Sequence, residues 1–477
     1  MDDKIALPKE YVSVKIKLNF SLGSLANGLM SGLVFANLTF YYNIKLGADW
    51  GLLSIGWLIF AIWNTLNDPI ASYFIDNTRT KIGRRIPFIR YGSIFYGLTF
   101  LFCWFPISPL DNQVGLFFNF LAALFLFDTM YTIVGACFFS LPNEIAITAK
   151  QRASLSAYTT IFGFINLVLG LILPIVLLTG QQGLHPLFIP TILFIECVCS
   201  LLLFLTSFGI KENMFAQLQE HEGFFEGLKL TFKNRAFLVL IIPAFCMQII
   251  AQITSTGLLY YIDYNISGQS PLFIVITFIA GIIFGGFINL KRIVIWQPRK
   301  TGIINLLVLG IALVLLFFIG NNSLLAAIPF FLVGFGYIGI LVTNPVLMGD
   351  VIDNDELLTG KRREAIYGGV NAIITKPAIS IANSAFLSII ELFGFVAPII
   401  VSGVDLKQPQ NDIGLIGILV AFCLFPSALL FISAFVLRWF PLDGPEWLKK
   451  KKYIMEIHEE KEKQYLESIS KKLDSSK

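Results

Sequence analysis

The sequence predicts an all-α membrane protein, with twelve transmembrane helices arranged as two pseudo-symmetric six-helix halves. Three observations predict it. The 477 residues are 56% hydrophobic and 14% charged, with mean hydropathy +0.75, whereas soluble domains are about 25% charged. The apolar residues fall into runs of roughly the 20 residues needed to cross a bilayer. Lysines and arginines gather at alternate ends of those runs, as the positive-inside rule requires.

Residues 1–17 form a charged N-terminus with no apolar region of the kind a cleavable signal carries. The first half, 18–209, holds spans at 18–44, 52–75, 88–107, 114–141, 154–178 and 186–209. Span 1 closes on Phe40-Tyr41-Tyr42-Asn43. Span 2 contains Asn67-Asp68-Pro69 and runs into the basic turn Asp76–Arg85. Span 4 contains Asp128 and leaves through Ser140-Leu141-Pro142-Asn143-Glu144. Span 6 contains Glu196. A charged loop, 210–235, joins the halves.

The second half, 236–440, holds spans at 236–262, 271–290, 302–319, 323–348, 365–395 and 411–440. Span 7 closes on Leu259-Tyr260-Tyr261-Ile262, the same paired tyrosine that ends span 1. Span 10 leaves through Asn344-Pro345 towards Asp350, a weaker echo of span 4. These echoes point to duplication of a six-helix unit; an interfacial aromatic belt is the plainer source of one Tyr-Tyr pair. The tail 441–477 opens with a basic run, Lys449–Lys452, and is expected to form a helix on or below the cytoplasmic face. It serves as a positive-inside anchor or binds anionic lipid.

The N-terminus, the loops after spans 2, 4, 6, 8 and 10, the tail and the span ends beside them hold 32 of the 35 Lys and Arg residues. The opposite side holds Lys45 and Lys407, and Lys376 lies inside span 11. Both termini are therefore expected in the cytoplasm. The net charge of +4 follows from this orientation and does not indicate a nucleic-acid partner, which would need a solvated basic groove with stacking aromatics. The six cysteines all fall in spans, with no spacing suited to a disulfide or metal site. No cofactor is expected. The three histidines lie outside the spans or at their edges, and no nucleophile–base pair appears, which argues against an enzyme. The absence of a Gly-x-x-x-x-Gly-Lys loop argues against ATP-driven transport.

A charge at bilayer depth costs at least a few kcal/mol and is rarely kept without use. Asp68 is the leading cation-coupling candidate. Asn64, four residues earlier, shares its helix face, and Asn67 adds a further oxygen. Such a group suits Na⁺, and a carboxylate alone can carry H⁺; a structural hydrogen bond to a neighbouring helix is the other reading. Lys376, the lone cation within a span, lies among Asn371, Thr375, Ser380 and Asn383 at helical spacing, in a coupling site or a structural ion pair. Asp128 can pair with Lys376 or bind a solute. Glu196 fits a structural acid better. On span 7, Gln248, Gln252 and Ser255 make a polar face suited either to a hydroxyl-rich ligand or to helix association. Trp57, Trp63 and Tyr131 can stack on a sugar face or simply pack. Asp76, Arg79, Gly83, Arg84 and Arg85 make a candidate cytoplasmic gate, with acids such as Asp350, Asp353 and Glu356, and with Arg363, on the other half.

Asn67-Asp68-Pro69…Asp76…Arg79…Gly83-Arg84-Arg85…Pro87-Phe88 resembles the signature of the glycoside–pentoside–hexuronide:cation symporters, the melibiose-permease-like branch of the major facilitator superfamily. Asp350…Asp353-Asn354-Asp355-Glu356-Leu357-Leu358-Thr359-Gly360-Lys361-Arg362-Arg363-Glu364-Ala365 resembles its loop before helix 11, and Lys376 falls where the family has a coupling lysine. The similarity spans about residues 15–440. It implies the major facilitator fold and alternating-access symport of a sugar or glycoside-like solute with Na⁺ or H⁺. It also implies a plasma-membrane location and a small-molecule partner. From their polarity and placement, Asn27, Asp128, Tyr131, Gln248, Gln252, Asn371 and Thr375 are the candidate solute contacts. A monomer in the lipid bilayer is expected.

The chain departs from the melibiose-type members at three places. They carry two span-2 acids one turn apart, where this chain has Asn64 and Asp68. Their sugar-binding acids in helices 1 and 4 correspond to Gly28, beside Asn27, and Gly135. The branch also includes lysophospholipid carriers, so an amphiphile carrier or uncoupled facilitator of the same fold is the alternative.

Overall fold

The computed structural model describes residues 12–80, 82–146, 149–210, 231–266, 271–360, 363–401, 404–454 and 456–457. The helices are α1 (Val14–Phe40), α2 (Trp50–Asn77), α3 (Ile86–Trp104), α4 (Gln113–Ile145), α5 (Ala149–Leu178) and α6 (Phe188–Gly209). After the joining loop, whose residues 211–230 lie outside the described set, come α7 (Arg235–Tyr260), α8 (Leu272–Ile319), α9 (Ser323–Thr359), α10 (Glu364–Thr375) and α11 (Pro377–Leu392). A small hairpin follows, β1 (Ile399–Val401) and β2 (Val404–Leu406), then α12 (Asp412–Leu419) and α13 (Phe425–Leu437).

Ten helical segments among the described residues are long and apolar enough to span a membrane. One of them is the 48-residue α8, two helices joined at Gln297, whose φ of 66° just before Pro298 breaks the run. The 28-residue α2, which carries Asn64, Asn67 and Asp68, is outside those ten. Twelve spans are consistent with this arrangement. Within the second half, α10 and α11 form one span interrupted at Lys376, because Pro377 lacks the amide that would continue the ladder.

The duplication is visible at the helix ends. Both α1 and α7 pass into a π-helical turn, Tyr41–Lys45 and Tyr261–Asn265. The Tyr41 hydroxyl donates to the Trp104 carbonyl at the end of α3, 2.7 Å away, and the Tyr261 hydroxyl donates to the Gly320 carbonyl at the end of α8, at 2.5 Å. Equivalence therefore pairs Tyr41 with Tyr261 and Phe40 with Tyr260. The Tyr-Tyr motifs are one residue out of register as written, because the π turn, not the dipeptide, is what repeats.

One expectation changes here. The segment from Asp350 to Glu356 is not a loop: α9 runs on to Thr359 and is ended by Gly360 in the left-handed region, as a C-terminal glycine cap requires. The described part of the tail packs against the bundle. Asp443 pairs with Arg299 at 2.9 Å and Lys451 pairs with Asp350 at 2.5 Å, while Trp447 and Ile454 are buried.

Without water between helices, spans associate by close packing of small residues. At the α8–α9 contact, a methyl group added to Gly281 would lie 2.1 Å from the Phe331 carbonyl oxygen, and one added to Gly334 would lie 2.2 Å from that of Phe278. We predict that Gly334→Val separates these backbones at an overpacking cost of about 1–3 kcal/mol. A thermal-shift assay on purified protein should record a melting temperature several degrees lower.

Candidate functional site

The two halves meet along α1, α2, α7, α10 and α11. In the middle of that seam the Lys376 Nζ donates to Asp68 Oδ1, an ion pair between halves, with side chains 23% and 27% exposed. The break before Pro377 places Lys376 at the junction of α10 and α11. There its own carbonyl also accepts from the Asn64 amide at 3.4 Å. Asn67, fully turned inward, donates to Asp128 Oδ2 of α4 at 2.8 Å. Asp128 is buried and lies within electrostatic reach of both Lys376 and Asp68. The four residues Asp68, Asp128, Lys376 and Asn67 thus form one polar cluster across α2, α4 and the α10–α11 junction. With both acids ionised it carries one uncompensated negative charge.

Several polar atoms around the cluster have no hydrogen-bond partner among the described residues. They are Asn27 Oδ1, Trp63 Nε1, Thr132 Oγ1, Asn371 Oδ1 and Ser380 Oγ. Thr132 and Ser380 lie four residues, about one turn, from Asp128 and Lys376, while Trp63 and Asn371 lie five from Asp68 and Lys376, on another side of the helix. Asn27 faces α4, where a methyl group on Gly135 would meet both Asn27 and Tyr131. A buried polar atom left unmet costs about 1–3 kcal/mol, so each of these groups has a hydrogen bond to offer a polar ligand.

The other expected residues are placed as follows. Tyr131 meets Phe35 edge-on at 5.5 Å. Thr375 donates to the Asn371 carbonyl at 2.8 Å. Gln248 is half-buried. Gln252 is buried, with its amide nitrogen donating to the Phe35 carbonyl at 2.6 Å and to Thr256 at 3.1 Å. Trp57 donates to Thr39 at 2.9 Å and is fully buried, whereas Trp63 stacks on Phe125. Glu196 accepts from Ser200 on its own helix, α6.

In the gate region, Arg84 and Arg85 are buried and Arg79 is exposed. The Asp76 side chain lies outside the described set. Asp350 meets Lys451 of the tail, and Asp355 holds Arg363 through two bonds of 2.9 and 2.6 Å. Asp350 and Arg363 are thus engaged within their own half. Asp353 lies on the same helix, and Glu356 there is buried.

Two residues were not singled out as site candidates. Asn383 Oδ1 accepts from Thr39 of α1 at 3.2 Å and Thr256 of α7 at 2.9 Å. Trp57 of α2 donates to that same Thr39, so four helices from both halves converge on one amide. Asn166 of α5 lies over Gly28, its amide nitrogen 2.7 Å from where a Cβ would be. Asn383 was visible in the polar stripe around Lys376; Asn166 gave no such signal, because a lone amide in an apolar run has no spacing partner.

The model of the MFS/sugar transport protein family matches residues 19–444. The chain is 22% identical to the inner membrane symporter YicJ of Escherichia coli, covering 91% of this chain and 92% of that one. It is 22% identical to the glucuronide carrier protein homolog of the same organism, covering 95% and 98%. The isoprimeverose transporter of Lactiplantibacillus pentosus is also 22% identical, over 82% of each. Among solved structures, a D-xylose–proton symporter superposes with a TM-score of 0.63 at 12% identity, over 90% of this chain and 98% of that one.

Replacing Asn383 by Leu removes the shared acceptor and leaves two buried hydroxyls to be met elsewhere. We predict a loss of about 2–4 kcal/mol, on the scale of two unmet polar groups. Denaturant unfolding of the purified protein measures it, and Thr256→Val in the same background should add less than it costs alone.

Proposed function

The chain belongs to the MFS/sugar transport protein family, and from that premise we propose a secondary active transporter that moves a sugar or glycoside-like solute with a cation by alternating access. The observation that carries the reading is the Asp68–Lys376 pair, one charge from each half, in the middle of the seam. Two halves rocking about a midplane site is the working cycle of such carriers. A cation, Na⁺ or H⁺, binds at Asp68 with help from Asn64 and Asn67. It competes with Lys376 for the same carboxylate, so cation binding loosens a bond between the halves. The second acid, Asp128, holds the cluster negative enough to attract one cation.

The solute binds beside this cluster, between α1, α4, α7 and the α10–α11 span. Asn27, Tyr131, Gln248, Asn371 and Thr375 are its proposed contacts, with Gln252 holding α7 against α1 from behind. Amides and an aromatic face suit a hydroxyl-rich solute, and relatives named for glucuronide and isoprimeverose transport support that class. By linkage, solute and cation raise each other's affinity equally. One charge falling through 100 mV supplies about 2.3 kcal/mol, enough for roughly 50-fold accumulation at one cation per solute, since about 1.4 kcal/mol is tenfold.

In this reading both termini are cytoplasmic, the carrier works as a monomer in the plasma membrane, and it catalyses no covalent chemistry. The Lys/Arg-rich face carries the inner gate. Asp76, Arg79, Gly83, Arg84 and Arg85 form one side, and Asp353 and Glu356 of α9 form the other. Asp350 and Arg363 brace that second side.

The test is uptake of labelled glycosides, pentosides and hexuronides into proteoliposomes under separate inward Na⁺ and H⁺ gradients. We expect one gradient to drive accumulation and Asp68→Asn to abolish it while sparing solute exchange. Accumulation by Asp68→Asn at the parent level would remove Asp68 from the coupling role.

A further inference from the structure

The Lys/Arg-poor face has only two lysines, and each is tied to a buried aspartate. Lys45, at the end of the π turn after α1, pairs with Asp405 of β2 at 3.1 Å, and neither side chain is exposed. Its ammonium also donates to the Gln181 and Gly183 carbonyls at 2.9 and 3.1 Å. Lys407 pairs with Asp263 at 2.8 Å, and the Asp263 side chain is again fully buried. The turn between α5 and α6 completes both clusters. Gly183 donates its amide to Asp405, and Gly180 donates its amide to Asp263 at 2.8 Å. Both glycines have positive φ, 81° at Gly180 and 75° at Gly183, a conformation that L side chains rarely adopt.

Lys45, Gly180 and Gly183 belong to the first half, whereas Asp263 and Asp405 belong to the second. The hairpin is seated to match. Ile400 lies opposite Asp405 in the strand register, so both point to one face. A methyl group on Gly47 would lie 2.5 Å from the Ile400 side chain. The Tyr260 hydroxyl adds a further bond between halves, to Asn43 at 3.0 Å.

We propose that the Asp405 hairpin is a latch. On the alternating-access reading given above, it holds the exterior side shut through Lys45 and the Gly183 amide, and lets go when the carrier turns outward. The chemistry suits a reversible catch. A buried ion pair gains little over an apolar contact because both ions lose hydration, yet removing one partner strands the other charge. Opening returns both ions to water, so the closed latch is specific in geometry without being hard to open. The arrangement also has a sense: Lys45 faces two carbonyls and Asp405 faces an amide, so exchanging the two charges would not rebuild it.

The experiment is a double electron–electron resonance measurement on the full chain in nanodiscs, with the six native cysteines replaced. Spin labels go on the exposed Asp111→Cys of the first half and Asp412→Cys of the second. Lys45→Met and Asp405→Leu are compared singly and together. Ser384→Trp serves as a wedge, because Ser384 sits 2.6 Å from Ser54 across the seam. Only monodisperse preparations are compared. We expect each single substitution to raise the long-distance population about fivefold, and the double substitution to raise it less than either, since no charge is then stranded. A wedge that lengthens the distance while Lys45→Met leaves it at the parent value would overturn the latch and leave alternating access standing. Effects that simply add in the double variant would also overturn it. If neither the wedge nor any latch variant moves the distance, the rocking of the halves falls, and the latch with it.

Discussion

A single ammonium, Lys376, and a single carboxylate, Asp68, meet across the seam between the two halves of the bundle. Most of the surrounding geometry exists to make that meeting tolerable. The helix is interrupted at Lys376–Pro377, where the Lys376 carbonyl accepts both from the Ile379 amide and from Asn64. Asn67 turns inward to hold Asp128, so the second acid is hydrogen-bonded rather than stranded. A charge in hydrocarbon is kept only with a partner or a use, and this cluster supplies partners that, in the proposed function, a cation replaces. Above it, the Asn383 amide draws α1, α2, α7 and α11 together with neutral bonds. At the Lys/Arg-poor face, Asp405 and Asp263 do the same with charges. The seam is thus closed at three levels, twice by ion pairs and once by neutral hydrogen bonds.

This layering bears on coupling. Neutral hydrogen bonds at Asn383 can be exchanged for water at small cost, since the net worth of one is about 1 kcal/mol. In the proposed function the central ion pair answers to cations in a way the neutral layer cannot. In the proposed cycle the cation acts at Asp68–Lys376, the ion pair between the halves that lies beside the proposed solute contacts. Neutral contacts then follow the halves as they move.

Much of this was legible in the sequence, for an identifiable reason. Lys376, Asp68 and Asp128 stand out because charge is rare inside apolar runs, and the span count follows from the alternation of Lys and Arg. Asn64 and Asn67 were legible through helical spacing. Pairing was not. Lys376 has two acids nearby, and only packing decides that it meets Asp68 while Asn67 takes Asp128. Asp405 was invisible because an aspartate in a polar loop is ordinary, and only the hairpin register buries it. The helical extension to Thr359 was missed because its last turns are polar, and hydropathy cannot separate a polar helix end from a loop. The tail's hold on Asp350 is a long-range contact that no local pattern encodes.

The central claim is that a cation and Lys376 compete for Asp68. Cation binding to purified Lys376→Met, followed by tryptophan fluorescence with Na⁺ and protons titrated separately, tests it most directly. Trp63, stacked on Phe125 and five residues from Asp68, is the natural reporter. Removing the competing charge should tighten binding of the coupling cation at least about tenfold; the upper scale is about a thousandfold, for one charge about 4 Å away at an effective dielectric of about 20. Binding that is unchanged or weaker in Lys376→Met, from protein of parent-like stability, would contradict the account.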